Sequence, residues 1–349
     1  MEPGRALMAE TLLEVKDLKV QFATEDGMVK AVDGVSFELE RGKVLGIVGE
    51  SGSGKSVTAM TLMGLTGGVN SRFEGEILYK GTDLLKLADD QMQQFRGPEL
   101  GMIFQDPMTS LNPVYRIGDQ IAEAIRTHEK VDKRTAKNRS VELLRAVGIP
   151  NPEARVDDFP HQFSGGMRQR AMIAMALSCN PDLLIADEPT TALDVTIQAQ
   201  IIELIGRLKD DFNSAVIMIT HDLGVVADIA DEIIVMYAGQ VVERAAKRDL
   251  FYDPQHPYTW GLLGSIPRLD RPRPDRLHSI KGSPPSLINA PPGCAFRPRC
   301  PHAFNRCTER PALQSHVDVP THLDRCWLDV PYKRSHRDQT ISGGHTEAA

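Results

Sequence analysis

The segment Gly49-Glu50-Ser51-Gly52-Ser53-Gly54-Lys55-Ser56 matches the pattern G-x-x-x-x-G-K-[S/T] without deviation. Its glycines allow backbone N–H groups to turn toward phosphate oxygens, and the N-terminus of a following helix adds a favourable dipole. The pattern predicts that Lys55 reaches the β- and γ-phosphates of a nucleotide and that the Ser56 hydroxyl binds Mg²⁺. A flexible Gly/Ser loop is the alternative, but a strand-like segment before the motif and a helix-compatible one after it favour the phosphate site.

Apolar runs on both sides of this motif predict the surrounding fold. Short apolar segments bounded by turn residues indicate buried strands, and longer segments with helical spacing indicate helices. The two kinds alternate as far as Asp253, which is typical of an α/β layer fold. The predicted strands are Val44–Val48, Leu183–Ala186 and Val216–Thr220. The predicted helices are Ser56–Leu65, Ile117–His128, Ala136–Val147 and Met167–Leu177. A predicted hairpin joins Leu13–Phe22 to Ala31–Leu39 through a turn at Asp26–Gly27.

Polar side chains follow several of the predicted strands. Asp187 is suited to contact Mg²⁺, and Glu188 to polarise an attacking water, because phosphoryl transfer depends on positioning and charge neutralisation. His221 follows the strand Val216–Thr220, where a polar group faces a ligand crevice. Gln105, after Ile103 and Phe104, is ambiguous by itself. Each of these residues alone is often structural, but beside the glycine loop they indicate a hydrolysis site.

The triplet Ser164-Gly165-Gly166 precedes the predicted helix Met167–Leu177. The Ser164 side chain is suited to cap this helix, and the two glycine amides would form a second anion site. The nearby sequence offers no lysine and no metal ligand, so the triplet by itself is an incomplete phosphate site. We expect it to contact phosphates that are bound by another site. An ordinary helix cap is the alternative.

The overall composition excludes several classes of protein. Hydrophobic residues at 41% and charged residues at 25% are typical of a globular chain, and 349 residues favour two structural units. A net charge of −7 gives no positive field for nucleic acid or an anionic membrane surface. Apolar runs such as Ile233–Tyr237 are too short to span a bilayer. Because Met1–Glu10 lacks a signal-peptide core, we expect a cytoplasmic chain.

The sequence after Asp253 has a different character, with 14 of the 23 prolines and 4 of the 5 cysteines. Such a density of proline disfavours long helices and central strands. We therefore expect a loop-rich unit over residues 254–332, which needs support from the first unit or a covalent staple. The polar end, residues 333–349, is predicted to be disordered.

The four cysteines of this unit follow the spacing C-x5-C-x6-C-x18-C. Structural zinc sites favour C-x2-C pairs, whereas four thiolates suit a [4Fe–4S] cluster. We expect such a cluster as the staple, with zinc or unligated reduced thiols as the alternatives. The predicted ligands are Cys294, Cys300, Cys307 and Cys326.

In their order along the chain, these motifs resemble the ATP-binding cassette of ABC transporters over about Leu12–Asp253. The glycine loop resembles the Walker A motif, and Asp187 with Glu188 resembles the Walker B motif and its catalytic glutamate. His221 resembles the switch histidine, and Gln105 the glutamine of the Q-loop. The resemblance implies a P-loop nucleotide-binding domain, in the α/β class, with a RecA-like core, an antiparallel β subdomain and a helical subdomain at about 106–165, after an N-terminal extension at 1–11.

Further motifs complete the resemblance. Phe163–Met167 resembles the signature motif, although Phe163 and Met167 depart from the commonest Leu-Ser-Gly-Gly-Gln. Ala192–Asp194 resembles the D-loop, and Phe22 the aromatic residue that stacks on adenine, with a core phenylalanine as its alternative. The implied catalytic residues are Glu188, His221 and Gln105, and the implied Mg²⁺ ligands are Ser56, Gln105 and Asp187. The implied ATP contacts are Phe22, Gly49, Glu50, Ser51, Gly52, Ser53, Gly54, Lys55, Ser56, Val57, Ser164, Gly165, Gly166 and Asp194.

The C-terminal sequence resembles one particular group of ABC transporter ATPases. His256-Pro257-Tyr258-Thr259 and Gly293–Cys300 are similar to segments of oligopeptide and dipeptide permease ATPases, some of which are thought to carry an iron–sulfur cluster here. The resemblance implies an ATP-hydrolysing subunit, peripheral on the cytoplasmic face of the membrane, that drives the uptake of di- and oligopeptides. Gln105–Ile121 would couple to the permease, with Met108, Leu111, Val114 and Tyr115 as candidate contacts. The alternative is that these apolar side chains belong to the core.

The same resemblance implies the partners. Two cassettes would pack head to tail, so that each glycine loop faces the partner's Ser164-Gly165-Gly166 across ATP. A homologous or identical second cassette, two transmembrane permease subunits and an extracytoplasmic substrate-binding protein are implied, and nucleic acid is not. A soluble cassette ATPase of DNA repair or translation is the alternative, but the long coiled-coil arm and the tandem cassettes of those classes are absent from this sequence.

Overall fold

The computed structural model describes residues 10–191, 193–266, 280–315 and 317–341. The strands in these residues form two β-sheets. The strands are β1 (Thr11–Thr24), β2 (Gly27–Glu40), β3 (Val44–Val48), β4 (Ser71–Tyr79), β5 (Thr82–Asp83), β6 (Leu100–Ile103), β7 (Leu183–Asp187), β8 (Ala215–Thr220), β9 (Glu232–Tyr237), β10 (Gln240–Ala246), β11 (Gln314–Ser315) and β12 (Leu323–Asp324). The helices are α1 (Lys55–Leu62), α2 (Asp89–Met92), α3 (Pro107–Ser110), α4 (Ile117–His128), α5 (Lys133–Ala146), α6 (Pro152–Arg155), α7 (Gly165–Ala176), α8 (Val195–Phe212), α9 (Leu223–Ile229), α10 (Lys247–Tyr252), α11 (Pro257–Gly264) and α12 (Val330–Ile341).

The smaller sheet is antiparallel, with the strand order β2-β1-β4-β5. Its hairpin joins Thr24 of β1 to Gly27 of β2, as the turn residues predict. Along β1 the buried side chains fall at alternate positions, and a register shift between Val15 and Leu18 returns the strand to the same apolar face. This sheet is the antiparallel β subdomain that the sequence predicted.

The larger sheet has the strand order β11-β12-β10-β9-β3-β8-β7-β6. The strands from β9 to β6 in this order are parallel to one another. Every residue of β3, β6, β7 and β8 is buried, because helices and the smaller sheet cover both faces. The carboxyl ends of these strands meet at one edge, where α/β proteins bind ligands. The order therefore places Gly49, Asp187 and His221 near one another.

The segment between β6 and β7 is mainly helical, as predicted. Asp132 caps α5 by accepting a hydrogen bond from the backbone N–H of Thr135 at 2.8 Å. Met108, Val114 and Tyr115 in this segment are exposed, whereas Leu111 is only 3% exposed and belongs to the core. Of the two alternatives, membership of the core therefore holds for Leu111, whose apolar side chain packs inside the segment. Within the described ranges, no helix combines the length and the apolar character that a membrane crossing requires.

The C-terminal region joins the larger sheet through a buried polar group, Glu243 of β10. Its Oε1 accepts hydrogen bonds from the backbone N–H of Gln255 at 2.6 Å and pairs with Nε2 of His322 at 2.8 Å. Its Oε2 accepts from the backbone N–H of His256 at 3.0 Å. A buried carboxylate is stable only when such partners replace water. Glu243 thus fixes the start of the C-terminal region to the cassette.

A second buried contact anchors the end of this region. Lys333 lies on α12, and its Nζ contacts Oδ2 of Asp324 at 2.7 Å with both side chains no more than 1% exposed. The predicted disorder over 333–349 is therefore wrong for residues 333–341, which continue α12, because the ion pair and the helix order a segment whose composition is polar. Residues 342–349, like residues 1–9 of the predicted extension, lie outside the described residues.

Replacing Lys333 with methionine should destabilise the protein, because the buried Asp324 would lose the ammonium group that it contacts at 2.7 Å. Breaking a buried ion pair at one partner costs about 3 kcal/mol, whereas replacing both partners with apolar residues costs much less. We therefore expect a lower urea midpoint for K333M and a substantial recovery in the double variant K333M/D324L. R145M, which breaks the exposed pair with Glu153, is the matched control and should shift the midpoint little. Equal midpoints for K333M and the wild type would contradict this role.

Candidate functional site

The glycine loop connects β3 to α1 and leaves no room for side chains at its two ends. A Cβ on Gly49 would lie 2.2 Å from the carbonyl oxygen of Met236, and one on Gly54 would lie 2.4 Å from that of Ala31. Gly54 also has a φ of 98°, a conformation that other residues rarely adopt. The sequence pattern is therefore a steric requirement: only glycine allows the loop to close against β9 and β2.

Lys55 is the cation at the centre of this loop. Its Nζ donates hydrogen bonds to the carbonyl oxygens of Gly49 at 2.7 Å and Glu50 at 2.9 Å. Burial lowers the pKa of Lys55, although Glu188, Asp187 and Glu50 oppose this shift. A buried ammonium is stabilised by anionic ligands more than an exposed one, because less water screens the interaction. The geometry thus fits the predicted phosphate contact.

Ser56 and Asp187 meet beside the loop. The Ser56 hydroxyl donates to Oδ1 of Asp187 at 2.9 Å, which joins the first turn of α1 to the end of β7. Burial raises the pKa of Asp187, and the hydrogen bond from Ser56 acts in the opposite direction. A hydroxyl and a carboxylate are oxygen ligands of the kind that Mg²⁺ prefers. The donor set therefore fits Mg²⁺ at the predicted pair.

Glu188 is the point where several predicted residues converge. Its Oε2 accepts hydrogen bonds from Nε2 of Gln105 at 3.1 Å and from the hydroxyl of Thr191 at 2.8 Å, and lies 3.3 Å from Nδ1 of His221. The backbone of Glu188 has a φ of 47°, and its N–H donates to the carbonyl of Ile219 on β8. Gln105 was predicted to bind Mg²⁺ as well, but its amide here contacts Glu188. The sequence analysis did not single out Thr191.

The loop and these side chains enclose one cavity with a volume of about 660 Å³. The C-terminal region contributes to its wall, which the sequence analysis did not foresee, because no local pattern links residues so distant along the chain. The lining residues are Glu50, Ser51, Gly52, Ser53, Gly54, Lys55, Ser56, Val57, Gln105, Glu188, His221, Leu262, Ser265 and Ile280. Val57, a predicted ATP contact, is among them.

Other predicted ATP contacts lie outside this cavity. Ser164 accepts a hydrogen bond from the backbone N–H of Met167 at 3.3 Å, so it caps α7, and a Cβ on Gly165 would meet nothing within 4 Å. Asp194 caps α8 by accepting from the N–H of Ile197 at 3.0 Å. Phe22 is half-buried on β1 against the core of the smaller sheet. Their roles, together with that of Gly166, stay predictions, and Ala192 lies outside the described residues.

Comparison with known proteins gives the family of this chain. Residues 32–191 match the ABC transporter family, and residues 242–307 match the C-terminal region of oligopeptide/dipeptide transporters. The oligopeptide transport ATP-binding protein OppD of Bacillus subtilis is 55% identical over 321 residues, which cover 92% of this chain and 89% of that protein. OppD of Salmonella typhimurium is 52% identical over 322 residues, with 92% and 95% covered. The chain belongs to the peptide-transport ATP-binding proteins of ABC transporters.

A solved structure also resembles this peptide-transport ATP-binding protein. The ATP-binding cassette MJ0796, described as dimeric in a post-hydrolysis state with ADP and Pi, matches with a TM-score of 0.61 and 26% identity, covering 68% of this chain and 99% of that chain. The fold prediction is therefore confirmed, as a cassette followed by the C-terminal region. A cassette ATPase of DNA repair or translation is not favoured by these relatives.

The four C-terminal cysteines of this ABC protein line one small cavity, together with His256 and His302. Burial raises the pKa of Cys294, and raises that of Cys300 and Cys326 to about 12. Across the described ranges, however, no group of three or more His, Cys, Asp or Glu side chains is arranged to hold a metal ion. The donor chemistry suits a [4Fe–4S] cluster, but the present spacing does not support one, and the cluster stays a prediction.

Replacing Asp187 with asparagine should stabilise the nucleotide-free protein. Because burial raises the carboxyl pKa, the charge costs stability at neutral pH, and that cost disappears as the pH falls toward the ordinary value of 3.8. Asparagine keeps the acceptor for Ser56, so we expect D187N to gain about 1 kcal/mol at pH 7 and little at low pH in urea unfolding.

Asp182, just before the same strand, is the matched control with the opposite sign. Hydrogen bonds from Arg41 and Lys80 lower its pKa, so its charge adds stability above the ordinary carboxyl pKa, and this contribution is lost as the pH falls. D182N should therefore destabilise the protein at pH 7. A loss of stability in D187N similar to that in D182N would contradict the electrostatic account of Asp187.

Proposed function

We propose that this protein is the ATP-hydrolysing subunit of an ABC importer, and that it drives the uptake of di- and oligopeptides through partner membrane subunits. The observation that carries the proposal is the convergence of Gln105 and His221 on Glu188 at the mouth of the glycine loop. The peptide-transport names of the relatives support the substrate class. An ATPase needs a base beside a phosphate cradle, and the cavity provides both.

Each residue at the site would have a separate role in ATP hydrolysis. Lys55 and the loop amides would hold the phosphates, and Ser56 with Asp187 would bind Mg²⁺, which neutralises phosphate charge when present. Glu188 would accept a proton from water while that water attacks the γ-phosphorus, so that the bond to ADP breaks and phosphate is released. Gln105 and His221, which contact the same carboxylate oxygen, would orient the water and sense the γ-phosphate.

A second cassette, identical or homologous, would complete the site. Ser164, Gly165 and Gly166 begin α7 away from the cavity, and the open surroundings of Gly165 support a contact with phosphates held by a partner. Asp194, at the start of α8, would lie at the same interface. The dimeric state of the cassette MJ0796 supports this arrangement. Nucleotide would then hold the two cassettes together until hydrolysis.

The remaining partners follow from the transporter family. The exposed apolar side chains of Met108, Val114 and Tyr115 would dock on two membrane permease subunits, and the protein would then lie at the cytoplasmic face of the membrane. An extracytoplasmic substrate-binding protein would deliver the peptide to the complex. We propose the cassette over residues 12–253, its helical subdomain at about 106–165, and the C-terminal domain from 254 through α12.

The shared cavity of Cys294, Cys300, Cys307 and Cys326 supports a finer proposal, that these thiolates bind a [4Fe–4S] cluster. Four thiolates are the usual ligands of such a cluster, and the side chains would have to rearrange to hold it. The cluster would act as a staple for the proline-rich domain.

Replacing Glu188 with glutamine should abolish turnover but preserve the ATP-dependent dimer, since only the proton acceptor is lost. We expect a decrease in phosphate release of at least about 100-fold, with a dimer detected by light scattering in Mg²⁺ and ATP. S164R is the contrasting variant, because it should prevent the dimer itself. Phosphate release near the wild-type rate in E188Q would refute the role of Glu188.

Anaerobic purification should yield iron and inorganic sulfide at about four of each per chain if the cluster forms. Replacing Cys300 with serine should remove the iron and the associated visible absorbance. Cys179 lies apart from this cavity, so C179S is the matched control and should retain both. Protein that is well folded and carries no iron or sulfide would reject the cluster.

A further inference from the structure

Arg299 of the C-terminal region contacts the glycine loop at Glu50. Its Nη1 and Nη2 lie 2.5 Å and 2.9 Å from the two carboxylate oxygens, in the bidentate geometry that makes such pairs strong. The Arg299 side chain is 5% exposed and that of Glu50 is 28% exposed, so water screens the pair only in part. The hydrogen bond to Glu50 raises the pKa of Arg299, which keeps the guanidinium charged.

The rest of the guanidinium is held by the C-terminal region and by β9. Nε donates to the carbonyl of Lys281 at 3.0 Å, Nη2 to that of Ile280 at 3.2 Å, and Nη1 to the hydroxyl of Tyr237 at 3.3 Å. With these partners the orientation of Arg299 is fixed before any ligand binds. The cation therefore presents a rigid fork to the loop.

Glu50 is restrained from two further directions. Its backbone N–H donates to the hydroxyl of Tyr258 at 2.8 Å, and its carbonyl accepts from Lys55 at 2.9 Å. Tyr258 is fully buried, and its ring packs against that of Tyr237 with centroids 4.7 Å apart. Glu50 thus connects the C-terminal region directly to the cation that faces the phosphates.

The charge of Glu50 requires this partner. Glu50 lines the same cavity as Lys55, and its negative charge raises the pKa of Lys55, so it would also act on phosphates that Lys55 binds. An unpaired carboxylate there would repel the phosphates and would compete for Lys55. In the loop pattern this position accepts any residue, so the sequence motif does not account for a glutamate.

We propose that Arg299 is a positioning residue for ATP: it neutralises and orients Glu50, and so keeps the glycine loop ready for phosphate. The inference rests on the proposed ATP-binding function and deepens it, because it makes the C-terminal domain part of the nucleotide site. Arg299 acts through Glu50 and does not itself touch the reacting atoms.

The test measures ATP affinity of the full-length protein by displacement of a fluorescent ATP analogue, together with KM and kcat for hydrolysis. R299M should weaken ATP binding about tenfold and raise KM by the same factor, with kcat changed less than about threefold, because ground-state and transition-state binding are lost together. R299K should recover part of the affinity. The double variant E50Q/R299M should return to within about threefold of the wild type, because the repelling charge is gone.

R310M is the matched control. Arg310 also joins the C-terminal region to the cassette, through Asp33 at 2.8 Å, but at β2 and away from the cavity. ATP affinity in R310M should therefore equal that of the wild type. Unchanged affinity in R299M, or a double variant as weak as R299M, would overturn the proposal.

Two further measurements keep the outcome interpretable. Failure of the wild-type protein to bind ATP would reject the proposed function, whereas normal wild-type binding with unchanged R299M would reject only the role of Arg299. Should R299M not fold, E50Q carries the test. Removal of the carboxylate leaves the positive charge of Arg299 unbalanced next to the loop, so ATP should bind two- to threefold more tightly. Affinity in E50Q at or below the wild-type level would overturn the proposal.

Discussion

The closure of the glycine loop against the backbone of β9 and β2 is the constraint on which this site depends. The loop passes so close to the carbonyl oxygens of Met236 and Ala31 that no side chain fits at Gly49 or Gly54. This approach fixes the end of β3 relative to the start of α1. It also directs Lys55 into the loop and sets Ser56 against Asp187, so the positions of Lys55 and Asp187 depend on it.

The buried charges of Lys55 and Asp187 favour the binding of ligands that carry the opposite charge. Burial moves the pKa of Lys55 down and that of Asp187 up, so in both cases the surroundings disfavour the charged form. A polyanion and a divalent cation would relieve these two costs together, since each brings the opposite charge. The same groups that reduce the stability of the protein therefore favour the binding of its ligands, a common compromise at functional sites.

The C-terminal domain is joined to the cassette by apolar packing and also by polar contacts that are partly or fully buried. Glu243 pairs with His322, and Arg299 pairs with Glu50. Contacts of this kind fix orientation more strictly than apolar packing, because a small displacement leaves a buried charge without its partner. The domain that holds the four cysteines is thus coupled to the phosphate loop by a rigid connection.

The sequence alone determined the class of fold and the chemistry of the main site. The glycine pattern, the Asp187-Glu188 pair and the apolar runs are local signals, so the strands β3, β7 and β8 and the helix α4 could be predicted closely. Tertiary structure decided the contacts between distant segments. These include the burial of Leu111 and the ordering of α12 through the contact of Lys333 with Asp324. They also include the pairing of Glu50 with Arg299, two residues that lie 249 positions apart in the sequence. Such pairs leave no periodic or local signature, because they form only after the sheets have brought remote parts of the chain together.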